Sequence, residues 1–64
     1  MTPNELREFL KRHDISANKF AELLGVTYMA VVQWLGGKRA ISLTVKRLCM
    51  LFDKHPDLME EFGK

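Results

Sequence analysis

Chemistry that makes or breaks bonds has little to work with in this chain. One thiol, Cys49, and two imidazoles, His13 and His55, are the only side chains of their kinds among the 64 residues. Cys49 stands inside the apolar run Leu48-Cys49-Met50-Leu51-Phe52 with no base beside it, so it reads as a small buried hydrophobe rather than a nucleophile. A single cysteine excludes an intrachain disulfide. The histidines are 42 positions apart and lack the close C-x-x-C or H-x-x-x-H spacing of zinc sites, so no metal and no cofactor is expected. Each instead falls near the end of a helical stretch, where partial positive charge is favourable. Triads, paired carboxylates and phosphate loops are absent as well, and the chain is not expected to be an enzyme.

Non-covalent chemistry remains, and the charges set its terms. The net charge is +2, unevenly distributed: residues 1–14 sum to zero, residues 15–52 to +4 and residues 53–64 to −2. The basic middle comes from Lys19, Lys38, Arg39, Lys46 and Arg47 against Glu22 alone, which points to one basic face and an acidic end turned away from it. Hydrophobic residues make up 47% and charged residues 28%, the balance of a globular domain rather than a disordered one. A chain this short forms one domain, residues 1–64, and can bury only about 60% of its extended surface. With no disulfide or metal available, self-association is the staple left to it. The longest apolar runs fall well below the ~18 residues of a membrane span. Met1-Thr2-Pro3-Asn4-Glu5 does not begin like a signal peptide, so a cytoplasmic protein is expected.

The elements that would position these residues are helices. Thr2 and Glu5 bracket Pro3 as a capping box, and Leu6, Phe9 and Leu10 recur at helical spacing until His13-Asp14. Ser16 caps a second helix with Phe20, Ala21 and Leu24 apolar, ended by Gly25. Thr27 caps a third over residues 28–35, closed by Gly36-Gly37. Two short helices meeting across a glycine-containing turn, with Val26 plugging the core beneath it, form a helix-turn-helix pattern over residues 16–35. Ser42 caps a fourth helix, with Leu43, Leu48, Leu51 and Phe52 as its expected buried positions, and His55-Pro56 breaks it. A short fifth helix follows over 57–62. No segment alternates like a strand, so the fold class is all-α, a compact bundle of four to five helices.

Ser16 through Thr27, followed by Val31, Trp34, Gly37-Lys38-Arg39 and Ser42, resembles the Cro/repressor-type (XRE-like) helix-turn-helix family of bacterial and phage regulators. The resemblance covers residues 16–42 in detail and 6–52 in helix layout. It implies a lambda-repressor-like domain that binds double-stranded DNA, with residues 28–35 lying in the major groove. With Val31 and Trp34 turned into the core, the base-reading candidates are Tyr28, Met29, Val32 and Gln33. Gln33 can bond adenine N6 and N7 together, while Met29 and Val32 suit thymine methyl groups. Phosphate contacts are expected from Ser16, Ala17, Asn18, Thr27, Lys38 and Arg39, with Lys19, Lys46 and Arg47 as second-line candidates. The chain departs from the family pattern at Ala17, where glutamine is usual, and at Leu23, Val32 and Leu35, where polar residues are frequent.

Near the C-terminus, Leu58, Met59 and Phe62, with Leu51 and Phe52, are spaced for a two-fold helical interface or for closing the core over the first helix. The expected arrangement is a homodimer through this set, on an inverted-repeat operator with half-sites about 34 Å apart. The resulting expectation is a transcriptional repressor. Its rivals are a protein-binding module or an antitoxin, which would use the apolar surface of the third helix on a protein partner.

Overall fold

A computed structural model describes residues 1–62. Five helices follow one another: α1 (Pro3–Arg12), α2 (Ala17–Leu24), α3 (Tyr28–Leu35), α4 (Leu43–Lys54) and α5 (Leu58–Phe62). Among the described residues there is no strand. The radius of gyration, 10.7 Å, is that of a compact chain this long.

Starts and stops are set by local chemistry. Thr2 and Glu5 close the expected capping box, the Thr2 hydroxyl accepting from the Glu5 amide at 3.1 Å and the Glu5 carboxylate from the Thr2 amide at 2.8 Å. Those bonds hold the Glu5 carboxyl below its usual value. Ser16, Thr27 and Ser42 likewise accept from the third residue of the helices they start. The first three helices also stop in one way. Asp14 (φ 53°), Gly25 (φ 70°) and Gly37 (φ 74°) take the left-handed conformation, and the next amide reaches back to a carbonyl of the last turn. These bonds, Ile15 to Leu10, Val26 to Ala21 and Lys38 to Gln33, are all 3.0 Å.

The core is built from one face of each of the first four helices. Leu6 and Phe9 of α1, Phe20 of α2, Val31 of α3 and Cys49 and Phe52 of α4 are its most deeply buried members. Phe9 meets Phe20 edge-on at a centroid distance of 5.7 Å, and Trp34 is buried beside them as an anchor. Burial also pushes the Cys49 thiol up to about 11, with the Asp53 charge adding to it, so the group is a neutral space-filler.

Several expectations are corrected by the packing. The buried stripe of α4 is Val45, Cys49 and Phe52, with Leu48 half-buried and Leu43 and Leu51 exposed. Every position from 48 to 52 is apolar, so hydropathy offers two faces and contact with the rest of the core selects between them. Val26 is exposed, and its amide rather than its side chain closes the turn. Leu23 is buried rather than presented outward, because α5 folds against α2. No helix among the described residues is long and apolar enough to cross a membrane.

Candidate nucleic-acid interface

The α2–α3 unit carries most of the residues that sequence reasoning singled out. Its two helices pack on each other, and each buries a small residue, Ala21 and Ala30. The tight turn at Gly25 leaves α3 with one side on the core and the other facing out. Ala30, Val31 and Trp34 take the inner side. Tyr28, Met29 and Val32 occupy the outer side, 54%, 61% and 37% exposed, and Gln33 is half-buried at its edge.

Two long-range contacts hold α3 in place. The Arg7 guanidinium of α1 donates to the Leu35 carbonyl at 2.8 Å, placing a cation on the negative end of α3. A β-carbon on Gly37 would lie 3.8 Å from the Pro3 ring, so the end of α3 rests against the start of α1. Arg7 lies off the apolar stripe of Leu6, Phe9 and Leu10. A contact spanning 28 positions has no local signal to reveal it.

Lys38 and Arg39 are fixed by their backbone. Both amides donate to the Gln33 carbonyl, at 3.0 and 3.3 Å, which folds the loop over the end of α3 and keeps the two cations beside Gln33. Among the described residues, Lys38, Arg39, Lys46 and Arg47 make no ion pair, whereas Lys19 lies 3.9 Å from Glu22. Ser16, Ala17 and Asn18 sit at the far end of α2, about 12 Å of helix away from the turn. No hydrogen bond joins them to the Lys38–Arg39 loop. Ala17 is half-buried against the core and can offer only its amide. Thr27 is exposed, its hydroxyl accepting from the Ala30 amide at 3.2 Å.

A signal missed in the sequence concerns the helix starts. The first turns of α2, α3 and α4 carry no acidic residue, while Glu5 fills that role in α1 and Glu60 and Glu61 in α5. Two amides in each bare turn, at residues 17 and 18, 28 and 29, and 43 and 44, have no helical partner. No carboxylate within those turns therefore offsets the partial positive charge at the three starts.

Residues expected at a dimer interface are divided by the structure. Phe52 is fully buried and leaves that set, because it packs edge-on to Phe62 at 5.2 Å inside one chain. Leu58 and Met59 are half-buried against the core. Only Leu51 and Phe62 keep substantial exposed apolar surface. A cleft of about 540 Å³ opens between the α1–α2 turn, α2 and α5, lined by Ile15, Lys19, Leu23, Pro56 and Met59. None of the α3 candidates lines it. His13 and His55 are the C-caps of α1 and α4 as expected, and His13 does more: its Nε2 lies 2.7 Å from Asp53 Oδ1, and Arg12 chelates both oxygens of the same carboxylate at 3.0 and 2.9 Å. Among the described residues, no three His, Cys, Asp or Glu side chains gather as a metal set.

Compared with protein-family models, curated proteins and solved structures, the chain matches none.

Proposed function

We propose that the chain is a sequence-specific double-stranded-DNA-binding regulator, a repressor without catalytic activity, that docks α3 in the major groove as the second helix of a helix-turn-helix. One observation carries the reading. Among the described residues the outer side chains of α3 make no hydrogen bond or ion pair, and the loop that follows it carries two cations, Lys38 and Arg39, with no partner ion. A polyanion with readable edges fits that arrangement. Phosphates would meet the amides at Ser16–Asn18 and the side chains of Lys38 and Arg39. Base edges would meet Tyr28, Met29, Val32 and Gln33, with Gln33 accepting and donating to one adenine.

Two copies on an inverted repeat would set two such helices about 34 Å apart. Leu51 and Phe62 are the members of the original interface set with surface left for that contact. The rival reading, a protein partner or toxin on the α3 face, draws on the same apolar exposure. It gives no role to Lys38 and Arg39, which make no ion pair among the described residues.

The test is binding of the purified chain to the DNA just upstream of its own gene, where an inverted repeat is expected, followed across a salt series. Four to six phosphate contacts per subunit would contribute about −4 to −5 to the log–log slope for each copy bound, and twice that for two copies on the repeat. A flat salt response, or no preference over unrelated duplex, would sink the proposal.

A further inference from the structure

We infer that the outer face of α3 reads pyrimidine 5-methyl groups, so that its preferred site is rich in thymine or carries 5-methylcytosine. The inference rests on the DNA-binding reading of α3 and names the chemistry of its target. Core contacts use Ala30, Val31 and Trp34. What remains outward is dominated by Met29 and Val32, one helical turn apart on the same stripe, with the ring of Tyr28 beside them. Neither Met29 nor Val32 has a strong hydrogen-bonding atom. Gln33 is the one side chain of α3 able to bond a base edge twice, and it lies half-buried at the margin.

An apolar side chain pressed on a base edge desolvates donors and acceptors without replacing their bonds with water, at a cost in affinity. The major groove offers one apolar feature, the C5-methyl of thymine. 5-Methylcytosine presents the same group at the same carbon. Two exposed apolar side chains on the groove-facing stripe are therefore matched to methyl groups and mismatched to unmethylated cytosine. The thioether of Met29 is long and unbranched, which lets it follow a methyl along the groove wall. The unpaired cations at Lys38 and Arg39, and the acid-free first turns of α2 and α3, select a polyanion over an apolar protein surface as the occupant.

The experiment selects binders of the full chain from a random-sequence duplex library, then resynthesises them with uracil in place of thymine. That change removes methyl groups and leaves every hydrogen-bonding atom of the base edge in place. Each contacted methyl should account for about a fourfold loss of affinity, confined to a few positions in each half-site. At those positions 5-methylcytosine should bind more tightly than cytosine by a similar factor. Met29→Gln combined with Val32→Asn, both at exposed positions, should bind thymine and uracil duplexes alike. Equal affinity of the unaltered chain for both duplexes would overturn the inference while leaving DNA binding intact. Failure to enrich any sequence would remove the DNA reading itself, and the inference with it.

Discussion

At the junction of α1 and α4, Arg12 and His13 both bind Asp53, and the His13 ring packs on Phe9 at a centroid distance of 4.5 Å. On the α2–α3 side, Lys38 and Arg39 are held by their backbone amides and their side chains have no partner ion among the described residues. The first region uses its charges to join helices that are 40 positions apart in sequence. The second orders its charges without neutralising them. The same division holds for apolar groups, since Phe52 is wholly buried and covered by Phe62, while Met29 is 61% exposed. Changes at the α1–α4 corner should therefore alter stability, and changes on the α3 side should alter binding.

The largest separation is expected for Lys38→Glu with Arg39→Glu. Under the DNA-binding proposal, reversing these two charges should lower DNA affinity by two orders of magnitude or more at low salt, on the order of the loss of several counterion-release contacts. Thermal unfolding should be unchanged, because the loop is held by bonds from its amides to the Gln33 carbonyl. A large drop in Tm would merge the two regions and break the comparison. Next comes Gln33→Ala, which should cost about 1–3 kcal/mol of discrimination at one base pair and little elsewhere. Competition binding with single-base variants of the selected site measures it.

Asp53→Asn should act in the opposite sense, lowering stability by about 0.5–1 kcal/mol and sparing affinity. The effect is small because the Asp53 side chain is 39% exposed and solvent screens the pair. Burial works against ionisation of Asp53, but hydrogen bonds from His13 and Arg12 and the Arg12 charge outweigh it, so its pKa lies below the ordinary value. Stability from this pairing is present above about pH 4 and is lost as pH falls through the folded pKa. Urea melts across that acid range should show a shallower decline for Asp53→Asn than for the unaltered chain. The smallest expected effect is a gain. Asp14 occupies the left-handed region at φ 53°, so Asp14→Gly should relieve strain and an unfavourable charge at the end of α1, adding about 0.5 kcal/mol.

The helix starts and stops were legible in the sequence because each is decided within a few residues. Thr2 with Glu5, Ser16, Thr27 and Ser42 announce caps, and Gly25 and Gly37 announce left-handed stops. The outer stripe of α3 was legible for a similar reason, since fixing Val31 and Trp34 inward leaves Tyr28, Met29 and Val32 outside. Where the chain offered two apolar faces, periodicity had no means of choosing. Val45, Cys49 and Phe52 won over Leu43 and Leu51 only through contact with the rest of the core. Leu23 became buried because α5 returns over α2, and Arg7, Arg12, His13 and Asp53 found partners 28 to 41 positions away. Those pairings depend on tertiary placement, and no local pattern encodes them.

The most direct measurement of the central claim is a residue-resolved NMR titration of the isotope-labelled chain with a duplex obtained by selection. Amide shifts should concentrate at Ser16–Asn18, Thr27–Gln33 and Lys38–Arg39, with His13, Asp53 and their neighbours unmoved. Shifts centred on the α1–α4 corner or on the cleft beside α5, with α3 silent, would contradict that claim.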